Sequence, residues 1–205
     1  MELSKITVIT GHYGCGKTNL AVNLAVSLGK GGANGVVTVA DLDIVNPYFR
    51  TADFAELFKA NGIRLAVSDY AGSSLDIPAL NINIKGLANA CDYLIIDAGG
   101  DGEGAKALGR FAPDIAKIGY EMLYVVNFRR YLTRSAAEAT ALMRDIEAAS
   151  GLSCSAIVNN SNLGGETTEA DVAASIPFAE ETARLTGLPL LSFPAKRYVK
   201  PIWEL

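Results

Sequence analysis

The chain holds a single histidine and three cysteines among 205 residues, and it has no surplus of positive charge. Each scarcity excludes something. Cys15, Cys91 and Cys154 are odd in number and far apart, without C-x-x-C or Cys/His spacing, so neither a disulfide framework nor a zinc site is expected. A reducing, cytoplasmic setting fits them. The formal charge of -4 offers no general attraction to nucleic acid or anionic lipid. No window approaches the unbroken apolar length that a membrane helix needs. The leading "MELSKITVITG" is too short and too soon interrupted for a signal peptide. Internal repeats, low-complexity tracts and charge blocks are missing as well. With half of its residues hydrophobic and no long linker-like stretch, the chain is expected to form one soluble, unprocessed domain over residues 1–205.

What is present is a regular alternation of apolar runs and amphipathic stretches. The runs predict strands at about 5 to 10, 35 to 41, 63 to 68, 92 to 97, 121 to 127, 153 to 159 and 188 to 193. Helices are expected between them, most clearly at 17 to 30, 103 to 118, 133 to 149 and 168 to 186. The runs are rich in Val, Ile and Leu on both faces, as in a parallel sheet covered on each side by helices. The expected fold is therefore a three-layer, doubly wound α/β domain with about seven mostly parallel strands. In such a sheet ligands bind beyond the carboxyl ends of the strands.

Three stretches sit at those ends. The first, "GHYGCGKT", fits G-x-x-x-x-G-K-[ST], with Gly11, Gly16, Lys17 and Thr18 at the fixed positions between a strand and a helix. Gly11, Gly14 and Gly16 allow the backbone to curl until its N–H groups face phosphate oxygens at the positive end of the helix. Lys17 then meets the β- and γ-phosphates and Thr18 ligates Mg²⁺. The run Gly11, His12, Tyr13, Gly14, Cys15, Gly16, Lys17, Thr18 and Asn19 is the expected nucleotide cradle. The second stretch is "ADLDIVNPYFR". Asp41 and Asp43 are two apart, so an extended backbone places both carboxylates on one side, and Asn46 and Pro47 turn the chain. Beside a triphosphate, two acids suggest ligation of Mg²⁺ waters by Asp41 and positioning of the attacking water by Asp43. A solvated, helix-capping loop is the competing reading. In the third, "DYLIIDAGGDGEG", Leu94, Ile95 and Ile96 deliver Asp97 to the sheet's edge within reach of a Mg²⁺ shell. Gly99 and Gly100 would form a mobile backbone that senses loss of a γ-phosphate, and a plain strand-to-loop turn explains the same glycines.

Together these motifs resemble the MinD/ParA branch of P-loop NTPases, in the SIMIBI group that also holds CobQ/CobB-type synthetases and dethiobiotin synthetase. The resemblance covers nearly the whole chain. "DLDIVN" is similar to the family's switch I and "LIIDAGG" to its Walker B and switch II. "IVNNSN" resembles its adenine-reading segment, which places Asn159 at the base, with Asn160 beside it. "FPAK" resembles its closing loop, so Pro194 and Ala195 are implied to flank the base. Residues 159 to 162 lack the acid of a guanine-reading N-K-x-D, so ATP and ADP with Mg²⁺ are the implied ligands. The resemblance implies an ATP hydrolase in which switch residues Asp43, Asn46, Gly99 and Gly100 differ between nucleotide states.

The chain departs from that family at His12, where members carry a signature lysine that crosses to the partner's nucleotide in a dimer. Histidine is mostly uncharged near neutral pH, so a nucleotide-driven homodimer is left open. The carboxyl terminus "AKRYVKPIWEL" lacks a membrane-gripping amphipathic helix, which argues against a membrane role. Arg129, Arg130 and Arg134 form a basic cluster on the ligand side of the sheet, fit for a small anionic substrate, an acidic protein partner, or plain solvation. Three functions remain: an ATP-driven switch read by a protein partner, an ATP-dependent transferase or synthetase, and a binding module with little hydrolysis.

Overall fold

The computed structural model describes residues 4–30, 35–43, 50–67, 82–100 and 102–191. Asn46, Pro194 and Ala195 lie outside them. Seven strands form one sheet: β1 (Ile6–Thr10), β2 (Val37–Leu42), β3 (Arg64–Val67), β4 (Tyr93–Ala98), β5 (Tyr120–Val126), β6 (Ala156–Asn159) and β7 (Leu190–Leu191). Their order is β3-β2-β4-β1-β5-β6-β7, and every pairing is parallel. The expected doubly wound architecture is the one observed.

Among the described residues, seven α-helices lie between the strands: α1 (Lys17–Lys30), α2 (Ala55–Ala60), α3 (Ile84–Asn89), α4 (Gly102–Gly109), α5 (Ala112–Ile118), α6 (Ala136–Ser150) and α7 (Glu169–Thr186). Because side chains alternate across a strand, each central strand feeds two cores. Leu94 and Ile96 pack with Val8, Met122, Ile115 and Met143 on one face. Ile95 packs with Ile9, Leu123, Leu20, Leu24 and Phe58 on the other. Both faces are covered, which is why the strands read as continuous apolar runs rather than as alternation.

The expected helix at 103 to 118 is two helices. Pro113 stands in the first turn of α5, where its missing N–H costs nothing; within a continuous helix it would lack that bond and crowd the carbonyl of Gly109. The helices expected from 133 and 168 start at Ala136 and Glu169 because a capping box fixes each start. Ser135 accepts from the Glu138 N–H, and Thr168 accepts from that of Asp171, while each acid returns a bond to the cap backbone. The strand expected from 153 begins at Ala156. Among the described residues, no helix is long and apolar enough to cross a membrane. All three cysteines are free and buried.

Candidate functional site

The chain crosses from β1 to β2 on one side and from β4 to β5 on the other, so the carboxyl ends of β1, β2 and β4 flank a reversal in strand order, where such sheets bind ligands. The turn from β1 into α1 fills this place. Gly14 and Gly16 hold φ of +72° and +92°, a left-handed backbone that a side chain disfavours. Their neighbours leave no room for one either: a Cβ on Gly16 would overlap the amide nitrogen of Asn160, and one on Gly11 would overlap the carbonyl oxygen of Val125. Cys15 N–H closes the turn onto the His12 carbonyl at 3.1 Å. Cys15 points inward and is fully buried, and burial pushes its thiol pKa up against the pull of Lys17.

Lys17 and Thr18 open α1 with their side chains buried at the mouth of this turn. Thr18 Oγ1 donates to Asp97 Oδ2 at 2.7 Å, joining residues 79 positions apart. The other oxygen, Asp97 Oδ1, is buried without a hydrogen-bond partner among the described residues. Burial raises the Asp97 carboxyl to about 7, against the opposing pull of Lys17 and the Thr18 hydroxyl, and Asp41 and Asp43 add to the rise. An orphaned carboxylate oxygen next to a threonine hydroxyl, both hard oxygen donors, fits a Mg²⁺ ion, which takes one or two protein ligands and completes its shell with phosphate and water. Among the described residues no three His, Cys, Asp or Glu side chains converge as an all-protein metal cage, so phosphate oxygens would have to complete the shell.

Asp41 and Asp97 are register partners on β2 and β4. Asp41 is fully buried and engaged with its own loop: Oδ2 accepts from Arg50 Nε at 3.2 Å and from the Ala52 N–H at 3.4 Å, and Oδ1 accepts from the Asp43 N–H. Asp43 Oδ2 lies 3.9 Å from Lys17 Nζ. Its approach explains Gly99, where a Cβ would stand 3.2 Å from Asp43 Oδ1 and 2.8 Å from the Gly104 Cα. Gly100 rests on the backbone of Gly11, where a Cβ would overlap the carbonyl oxygen. These two glycines are required by close packing against the phosphate-loop motif and Asp43, a more specific reason than turn formation.

His12 is half-buried, and its Nδ1 lies 2.8 Å from the Tyr13 carbonyl oxygen. Tyr13 projects outward, 60% exposed. Asn19 accepts from Asn23 inside α1. Asn159 is half-buried, donating to Ser175 Oγ at 2.8 Å and accepting from the Ser161 N–H. Asn160 is the asparagine that touches the turn, donating to the Cys15 carbonyl at 2.8 Å. Arg129 is bound to Asp171 at 2.7 Å and stacks over Phe128, and Arg134 stacks over Tyr131. Two contributors escape sequence reading. Arg50, the partner of Asp41, is one charge in a loop. Asn127, buried at the end of β5, accepts from the Arg129 N–H and, through its carbonyl, from the Thr133 hydroxyl and the Arg130 N–H. A polar residue ending an apolar run was the available sign.

No protein-family model and no curated protein matches the sequence. Solved structures match the fold. FtsY from Mycoplasma mycoides aligns over 97% of this chain and 65% of its own, with a TM-score of 0.60 and 18% identity. The cell division protein FtsY from Thermotoga maritima aligns over 97% of this chain and 68% of its own, with a TM-score of 0.59 and 19% identity. The signal recognition particle 54 kDa protein from Aeropyrum pernix, in complex with GDP, aligns over 92% of this chain and 41% of its own, with a TM-score of 0.58 and 16% identity. This chain thus spans 65% of the Mycoplasma protein and less than half of the Aeropyrum one. At such identities the structural likeness shows the fold alone, a parallel α/β sheet flanked by helices. The narrower likeness to the MinD/ParA branch rests on the sequence motifs alone.

Proposed function

We propose that this chain binds a purine nucleoside triphosphate with Mg²⁺ at Gly11–Thr18 and hydrolyses it slowly, acting as a switch that a protein partner reads at residues 41 to 50 and 97 to 104. The observation that carries this reading is the Thr18–Asp97 pair with its orphaned Oδ1, set at the mouth of a glycine-rich turn beside a buried lysine. Turn N–H groups and the start of α1 would hold the phosphates, and Lys17 would neutralise them. Thr18 and Asp97 would hold Mg²⁺ directly or through water, and the ion would offset charge on the phosphate oxygens. Asp43, close to Lys17, would orient the attacking water and accept its proton. Asp41, bound to Arg50, would couple the chain beyond β2 to the same end of the sheet.

The base is the finer part of the proposal. Asn159 to Asn162 offer no carboxylate to a guanine 2-amino group, which favours ATP. The GDP bound to the Aeropyrum neighbour points to the other base. Displacement of a fluorescent nucleoside diphosphate by ATP and GTP decides between them, with ATP expected to compete at least several-fold better. A tenfold preference for GTP (about 1.4 kcal/mol) would overturn the adenine assignment and keep the phosphate site. Failure of both to compete would remove the site itself.

A further inference from the structure

The space beside Gly14 belongs to Arg130. A Cβ on Gly14 would stand 3.3 Å from Cζ and Nε of Arg130 and 3.5 Å from its Nη1, so the guanidinium lies against the glycine turn. Arg130 comes from a different part of the chain, the segment after β5, and its backbone is fixed there. Its N–H bonds to the Asn127 carbonyl, its own carbonyl accepts from the Thr133 N–H, and the Phe128 N–H is tied to Ser161 Oγ. The neighbouring arginines are engaged elsewhere, Arg129 with Asp171 and Phe128 and Arg134 with Tyr131. Among the described residues no carboxylate pairs with Arg130, and its side chain is exposed. Among the described residues, then, a guanidinium without a carboxylate partner lies beside the glycine turn. Its planar fork suits phosphate oxygens. His12, in the same turn, is turned to its own neighbour, with Nδ1 2.8 Å from the Tyr13 carbonyl oxygen.

We propose that Arg130 contacts the terminal phosphates of the nucleotide bound by its own chain, supplying in cis the second cation of the site. This rests on the phosphate-site reading above. A cation at that place binds the polyphosphate and counters the charge that gathers on the transferring group, an effect that is large when the arginine is well placed. It also frees the chain from needing a partner subunit to supply the charge.

The test compares the parent with Arg130→Ala, Arg130→Lys and Arg129→Ala, using a non-hydrolysable ATP analogue and AMP, each with Mg²⁺, followed by single-turnover hydrolysis of ATP. Arg130→Ala is expected to bind the analogue about tenfold more weakly and AMP within twofold of the parent. Arg130→Lys should recover part of the loss, and Arg129→Ala should match the parent. A structural role alone would weaken both nucleotides together and lower the unfolding midpoint. An unchanged ratio of analogue to AMP affinity in Arg130→Ala would overturn the proposal while leaving the phosphate site standing. A parent that binds no triphosphate would refute the phosphate site and this inference together. Mixing Arg130→Ala with Lys17→Ala decides between cis and trans: the cis assignment predicts no recovery of hydrolysis, and recovery would overturn it.

Discussion

Asp43→Ala is expected to bind Mg²⁺-ATP at least as tightly as the parent and to hydrolyse it on the order of 10² to 10⁴ times more slowly in a single turnover. The two halves of this expectation have separate causes. Asp43 Oδ2 lies 3.9 Å from Lys17 Nζ, so the carboxylate competes for the charge that would meet the phosphates. Removing it releases Lys17 and takes a negative charge away from a polyanion, neither of which weakens binding. Hydrolysis, by contrast, needs a group that aligns water and takes its proton, and Asp43 is placed at the carboxyl end of β2, one residue past Leu42, within the site and next to Gly99. The variant should accumulate in the triphosphate form. Hydrolysis at the parent rate would remove Asp43 from the mechanism and favour a binding module.

The second large effect is on stability. Burial raises the Asp97 carboxyl from 3.8 to about 7, with Asp41 and Asp43 contributing. Between these values the folded chain keeps a proton that the unfolded chain has released. Stability therefore falls as pH rises from about 4 to 7, and the penalty is fully present above 7. Asp97→Asn keeps the acceptor for Thr18 and removes the titration. Urea unfolding in chelator should show the variant gaining on the parent across this window by on the order of 4 kcal/mol. Parallel curves would mean that Asp97 ionises normally in the folded state. The same unfavourable burial gives a bound cation something to relieve, so Mg²⁺ with nucleotide should stabilise the parent more than Asp97→Asn.

The sheet was legible because its signal is local: Val, Ile and Leu runs of strand length, separated by helix-length amphipathic stretches. The phosphate-loop motif was legible because its spacing and its flanks are both fixed. What the sequence hid is side-chain pairing across the fold. Asp41 and Asp43 look equivalent two residues apart, yet Asp41 turns to Arg50 and Asp43 lies towards Lys17. The resemblance of "NNSN" put Asn159 at the base with Asn160 beside it, and the structure sets Asn160 on the turn and ties Asn159 to Ser175. The break between α4 and α5 was readable from Pro113 and was obscured by the continuous apolar pattern around it. The three clustered arginines read as one patch, and only packing separates Arg130 from Arg129.

The central claim is that the turn from Gly11 to Thr18 holds the phosphates of a nucleotide, and titration calorimetry of Mg²⁺-ATP into the parent and into Lys17→Ala tests it most directly. Lys17 is 6% exposed and faces Asp43, so its loss also leaves the acidic side of the site less neutralised, and circular dichroism must show the variant folded. The account predicts saturable binding by the parent at one site per chain and a loss on the order of 100-fold in affinity in the variant, about 2.7 kcal/mol on the scale of a charge-assisted contact to phosphate. Equal affinities in a folded variant, or no heat with the parent for either ATP or GTP, would contradict it.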